Sequence, residues 1–157
     1  MLLNNLPDVK MGTNKPERVI QMVKVIMGLK GSGKTKQLIE LVRSAVEEDK
    51  GSVVVLEKEA KLTYDIPYQA RLVVAEQYGV NGYDYLKGLI SGLHAGNYDI
   101  TQIFIDSLTK IVGEQMDRHV EDFLDWCESF SEREKVKFTV TISADINLAT
   151  EGIKKYF

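Results

Sequence analysis

Gly28, Gly33, Lys34 and Thr35 stand in the stretch GLKGSGKT with the spacing G-x-x-x-x-G-K-[ST]. Those residue types at that spacing suit one task, the holding of a polyphosphate. Glycines let the backbone curl until successive N–H groups converge on phosphate oxygens. A helix starting at the end of the loop adds its positive pole. Lys30, Gly31, Ser32, Gly33 and Lys36 complete the candidate lining. Lys34 is placed to reach the β- and γ-phosphates, and the Thr35 hydroxyl to ligate Mg²⁺. The competing reading is a chance glycine-rich turn. It does not require a buried strand before the loop and an amphipathic helix after it, and both are present here.

Other residues could complete such a site. Asp106 ends the apolar run IFID. A carboxylate at the end of a buried strand can hold a water on the same Mg²⁺; alternatively it opens an ordinary turn. Hydrolysis also needs a group that orients water against the γ-phosphate. The residue after Asp106 is Ser107, so no carboxylate stands there. Glu57 and Glu59 follow another strand and are the remaining candidates, unless they are surface acids of the E-K-E-A-K cluster. Ser143 and Asp145 follow the last strand. They either sense the γ-phosphate or form a strand-end turn in which Asp145 caps the tail helix.

These residues need elements to position them. The apolar runs 20–27, 52–56, 71–75, 100–106 and 137–143 read as strands. Between them lie amphipathic segments. One begins at the glycine loop and is stopped by Gly51 in the role of a helix-ending glycine. A second covers about Tyr83 to Ala95, and a third about Glu114 to Lys135, with Met116, Val120, Phe123, Leu124, Cys127 and Phe130 on one face. In the tail, Ile146, Leu148, Ile153, Tyr156 and Phe157 are able to pack. Strands alternating with helices predict an α/β fold with a mostly parallel sheet covered on both faces. Ligands of such sheets sit beyond the carboxyl ends of the strands, where every candidate residue above falls. Residues 1–16 read as a loose N-terminal arm and 17–157 as one nucleotide-binding domain.

Taken together, these segments resemble the RecA/KaiC-like branch of P-loop ATPases. GLKGSGKT resembles its Walker A motif, and IFIDSLTKIV its Walker B segment. VVVLEKE resembles the strand whose terminal glutamate is the family's usual catalytic base, and TISAD stands in the place of its nucleotide-sensing segment. The chain is also similar to small stand-alone ATP-binding proteins of Firmicutes. The resemblance spans about residues 20–146 and implies a three-layer P-loop NTPase fold with ATP and Mg²⁺ as cofactors. It departs after the last strand, where the family's further strands and DNA-binding loops have no counterpart, so a truncated RecA-like core is expected. Arg18, Arg43, Arg71, Arg118 and Arg133 form no finger motif.

Composition narrows the function classes. The 157 residues carry 20 basic and 23 acidic side chains, a net charge of −3 that gives no support to a dedicated nucleic-acid binder. Cys127 is the single cysteine, which excludes an intrachain disulfide and a four-cysteine zinc ribbon. No apolar run approaches the ~20 residues of a membrane span, and no secretion signal is evident, so a cytoplasmic location is expected. His94 and His119 read as surface residues, Cys127 as packing, and the tyrosines of 64–85 as half-buried packing groups. Three functions fit. One is a Mg-dependent ATP-binding protein, a slow or partner-stimulated ATPase, whose expected partner is another protein or further copies of the chain in a homo-oligomer. A second is a small-molecule kinase of nucleoside or nucleotide type, though no arginine-rich lid is visible. The third is a non-catalytic nucleotide-binding regulatory or interaction module. The absence of an N-K-x-D motif favours ATP over GTP.

Overall fold

The computed structural model describes residues 20–157. The expected N-terminal arm, 1–16, lies outside the described residues. Five strands form one all-parallel sheet: β1 (Val23–Gly28), β2 (Ser52–Glu57), β3 (Ala70–Val74), β4 (Ile100–Ile105) and β5 (Lys137–Ser143). Their order across the sheet is β1-β5-β4-β2-β3. The helices are α1 (Lys34–Glu48), α2 (Tyr83–Gly96), α3 (Leu108–Val112), α4 (Arg118–Glu134) and α5 (Glu151–Lys154).

Alternation along the strands builds two cores. Val53 and Val55 of β2 and Phe104 of β4 point to one face, where Leu38, Val42 and Ala45 of α1 cover them with Leu62 and Ile66. Val54, Leu56, Ile103 and Ile105 point to the other face. There they meet Leu86 and Ile90 of α2, the apolar stripe of α4 and Ile153 of α5. Burial on both faces explains why the strands read as continuous apolar runs. The outer edge of β1 is partly closed by the chain's own end, as the Val25 N–H donates to the Tyr156 carbonyl at 2.8 Å.

Several expectations are corrected. The helix expected from about Glu114 begins only at Arg118, and a short helix that was not expected, α3, precedes it. Gly113, at φ 72°, ends the short α3, and Asp117 caps α4 by accepting from the His119 N–H at 2.8 Å. Met116 therefore reaches the core from a loop. The first strand starts at Val23 rather than at Ile20, which is exposed. Gly51 is not a left-handed helix terminator, because Asp49 ends α1 in an extended conformation. Gly51 is instead needed for close approach: a Cβ there would collide with the Thr101 side chain and lie 2.7 Å from the Asp99 carbonyl oxygen. Ile146, Leu148 and Phe157 are exposed, while Ile153 and Tyr156 pack. Tyr64 and Tyr68 are almost fully exposed, not half-buried. His94 is buried rather than on the surface, edge-on to Phe130 and Tyr98.

Candidate functional site

The segment between β1 and α1 is a tight loop. Gly31 and Gly33 have φ of 85° and 87°, a left-handed conformation that side chains rarely adopt. Gly28 ends β1 under the loop, where a Cβ would stand 2.6 Å from Ser32 Oγ. Lys34 is 7% exposed although it begins a helix, and its Nζ donates to the Leu29 carbonyl at 2.9 Å and to Ser32 Oγ at 3.4 Å. The loop thus curls around its own lysine. Leu38 and Val42, fully buried, hold α1 against the sheet and fix the direction in which its first turn points.

A cavity of about 660 Å³ opens at the carboxyl ends of β1, β2 and β4. That volume is within the range of small-molecule sites. Gly31, Gly33, Thr35, Asp106, Ser107 and Ser143 line it, together with Lys30, Lys34, Lys36, Lys58, Lys61 and Lys110 and with Glu57 and Glu59. Six lysines against three carboxylates leave a formal excess of positive charge in a chain whose net charge is negative. The electrostatics of the cavity therefore favour an anion.

Thr35 and Asp106, 71 positions apart, meet here with Thr35 Oγ1 3.4 Å from Asp106 Oδ1. Asp106 is positioned from two sides. Its backbone N–H donates to Leu56 O at 2.9 Å, and its carboxylate accepts from Thr141 Oγ1 at 2.8 Å. Thr141 lies on β5, the strand between the glycine-loop strand and β4, and is fully buried. The same hydroxyl accepts from the Ser107 N–H at 2.7 Å. Ser107 has φ 59°, one of two non-glycine residues at positive φ among the described residues. Such a conformation costs about 1–3 kcal/mol and persists only where the surroundings enforce it.

Glu57 and Glu59 part company. Glu57 is 4% exposed, and its two oxygens accept the backbone N–H groups of Lys61 at 2.9 Å and Leu62 at 3.0 Å. Burial pushes its carboxyl above the usual glutamate range and the nearby Asp106 adds to this, while the two N–H bonds pull in the opposite direction. Glu57 thereby ties down the loop after β2 as well as facing the cavity. Glu59 is half-exposed and pairs with Lys61 at 3.4 Å, which holds its carboxyl below the usual range. Ser143 lines the cavity and Asp145 does not. Asp145 Oδ1 accepts from the Asn147 N–H at 2.9 Å, capping a 3₁₀ turn over Ile146–Leu148.

Sequence reasoning passed over Thr141, Lys61 and Lys110. The polar alternation of KFTVTIS marks Thr141 as a candidate only once β5 is known to lie beside β4. Among the described residues no cluster of three or more histidine, cysteine or carboxylate side chains could hold a metal by itself. A Mg²⁺ held here would rest on the oxygens of Thr35 and Asp106 together with those of a phosphate ligand and water, a donor set that suits this hard cation. No helix among the described residues is long and apolar enough to cross a membrane. No family model matches the chain, and no curated protein matches it.

Proposed function

We propose that the chain is a Mg-dependent ATP-binding protein, a P-loop NTPase with a truncated RecA-like core, whose hydrolysis is slow or stimulated by a partner. One observation carries the reading. A glycine loop in left-handed conformation, a buried lysine, and a threonine hydroxyl 3.4 Å from a strand-end carboxylate share one cation-rich cavity.

In this reading the N–H groups of Gly31, Ser32, Gly33 and Lys34 and the Lys34 ammonium hold the phosphates. Thr35 and Asp106 organise the metal, whose role is to neutralise charge on the phosphate oxygens. Thr141 orients Asp106 and supports the strained Ser107. Glu57 is the carboxylate best placed to hold a water, since it is buried and borders the cavity near Asp106. Burial strengthens its hydrogen bonds and raises its proton affinity, as a base requires.

A second reading has its own support. Each Glu57 oxygen already accepts a backbone N–H, so the residue has a structural task that needs no turnover. That favours a module that holds ATP without hydrolysing it.

Calorimetric titration with Mg-ATP, beside steady-state hydrolysis, tests both readings on wild type, Lys34→Ala and Glu57→Gln. Binding abolished by Lys34→Ala, with turnover in wild type and none in a Glu57→Gln protein that still binds, supports the ATPase. Lys34-dependent binding with no turnover in wild type supports the holding module. Wild type that does not bind Mg-ATP overturns both.

A further inference from the structure

Two lysines outside the glycine loop are brought to the same cavity by elements whose backbones are fixed. Lys110 lies on α3, where Leu108, Ile111 and Val112 are at most 1% exposed. Those three residues lock the short helix into the core and leave Lys110 at the cavity wall. Lys61 lies in the loop after β2. Its backbone N–H is held by the buried Glu57 carboxylate and its neighbour Leu62 is packed in the core. Each side chain is exposed, but each attachment point is not free to move.

The two side chains are neighbours, and Glu59 pairs with Lys61 at 3.4 Å. The Lys61 ammonium, and then burial, draw Lys110 below the usual lysine range. Like charges fixed side by side are unfavourable unless an anion lies between them. Ordinary surface lysines avoid this by swinging apart into water. Here the packed α3 and the loop held by Glu57 fix where the two side chains start.

We propose that Lys61 and Lys110 form a second phosphate clamp facing the glycine loop, that it grips the terminal phosphate of a nucleoside triphosphate, and that Glu59 is the internal counterion which that phosphate displaces. The inference rests on the nucleotide-binding reading above and deepens it. Lys34 and the loop amides hold the phosphates common to a triphosphate and a diphosphate. Lys61 and Lys110 line the cavity together with Glu57 and Asp106, and the phosphate assigned to them is the one a diphosphate lacks. The cation that other phosphoryl-transfer sites take from a partner's arginine is then supplied within this chain.

Titration calorimetry of the full chain with Mg-ATP and with Mg-ADP tests the clamp on wild type, Lys61→Ala, Lys110→Ala, Glu59→Gln and the remote control Lys50→Ala, with thermal melts to verify folding. Wild type is expected to prefer ATP. Each clamp variant should lose about tenfold in ATP affinity, the scale of a charge-assisted bond to phosphate, with ADP affinity unchanged. Glu59→Gln should bind ATP more tightly and ADP as before, and Lys50→Ala should match wild type. Equal losses for the two nucleotides, no loss, or unchanged ATP affinity in Glu59→Gln overturns the clamp while leaving the nucleotide site standing. Wild type that binds neither nucleotide overturns the clamp together with the reading on which it rests.

Discussion

Thr141 Oγ1 donates to Asp106 Oδ1 at 2.8 Å and accepts from the Ser107 N–H at 2.7 Å. One fully buried hydroxyl on β5 thus satisfies both the carboxylate that ends the β4 segment and the backbone that turns away from it. Sheet order makes this possible. β5 lies between β1 and β4, so the glycine-loop strand and the aspartate strand do not touch, and a side chain on the intervening strand spans the gap. The pairing of Thr35 with Asp106 at 3.4 Å rests on that span.

Replacing Thr141 with valine keeps the shape and removes the hydroxyl. Asp106 then loses a donor and the Ser107 N–H its acceptor, both in a partly buried place. An unmet buried polar group costs about 1–3 kcal/mol. Thr141→Val should lower the unfolding free energy by about that amount in urea titration and weaken Mg-dependent ATP binding. Thr141→Ser, which keeps the hydroxyl, should restore both. A valine variant with wild-type stability and binding would show that Asp106 is positioned without Thr141.

A second prediction concerns packing away from the site. Gly51 faces the Thr101 side chain, and an added Cβ would also stand 2.7 Å from the backbone oxygen of Asp99. A backbone oxygen cannot rotate aside. The Ser52 N–H bond to that same oxygen at 2.8 Å fixes it further. Gly51→Ala should therefore destabilise the fold by about 1–3 kcal/mol, as overpacking does. Thr101→Ala in the same chain should recover only part of the loss. Unfolding in urea gives both numbers, and a neutral Gly51→Ala would contradict the packing described.

How much of this was legible in the sequence depends on the distance over which each feature is decided. The five strands were readable because both faces of SVVVL, IFI and FTVTI are buried, so composition alone marks them. The strand order was not, since nothing in β5 states that it lies between β1 and β4. The five residues of α3 were too few to show a helical period, and the late start of α4 escaped because Met116, which lies in the loop, keeps the spacing of Val120, Phe123 and Leu124. The left-handed Gly113 and the Asp117 cap override that periodicity. Glu57 was visible as a strand-end carboxylate, but its engagement with the N–H groups of Lys61 and Leu62 follows from how the next loop folds. His94 was misread because its cover, Phe130, comes from a helix 36 positions later.

The last prediction turns on pH. Gln102 Nε2 donates to Asp49 Oδ2 at 3.0 Å, and the Gly51 N–H donates to Oδ1 at 3.3 Å. The Gln102 amide is the main cause holding the Asp49 carboxyl below the usual aspartate range, and burial opposes it. A carboxyl whose pKa is lower in the folded than in the unfolded chain binds fewer protons when folded. Its contribution to stability is full above the unfolded value, about 3.9, and is lost as pH falls through the folded one. Asp49→Asn should thus cost about 1 kcal/mol at pH 7, a charged hydrogen bond discounted for solvent exposure. The gap to wild type should close as pH falls below about 4. Urea unfolding of both proteins from pH 7 down to pH 2 reads this directly. A gap that stays constant over the whole range would mean that Asp49 acts through shape and neutral hydrogen bonds, with no charge held by Gln102.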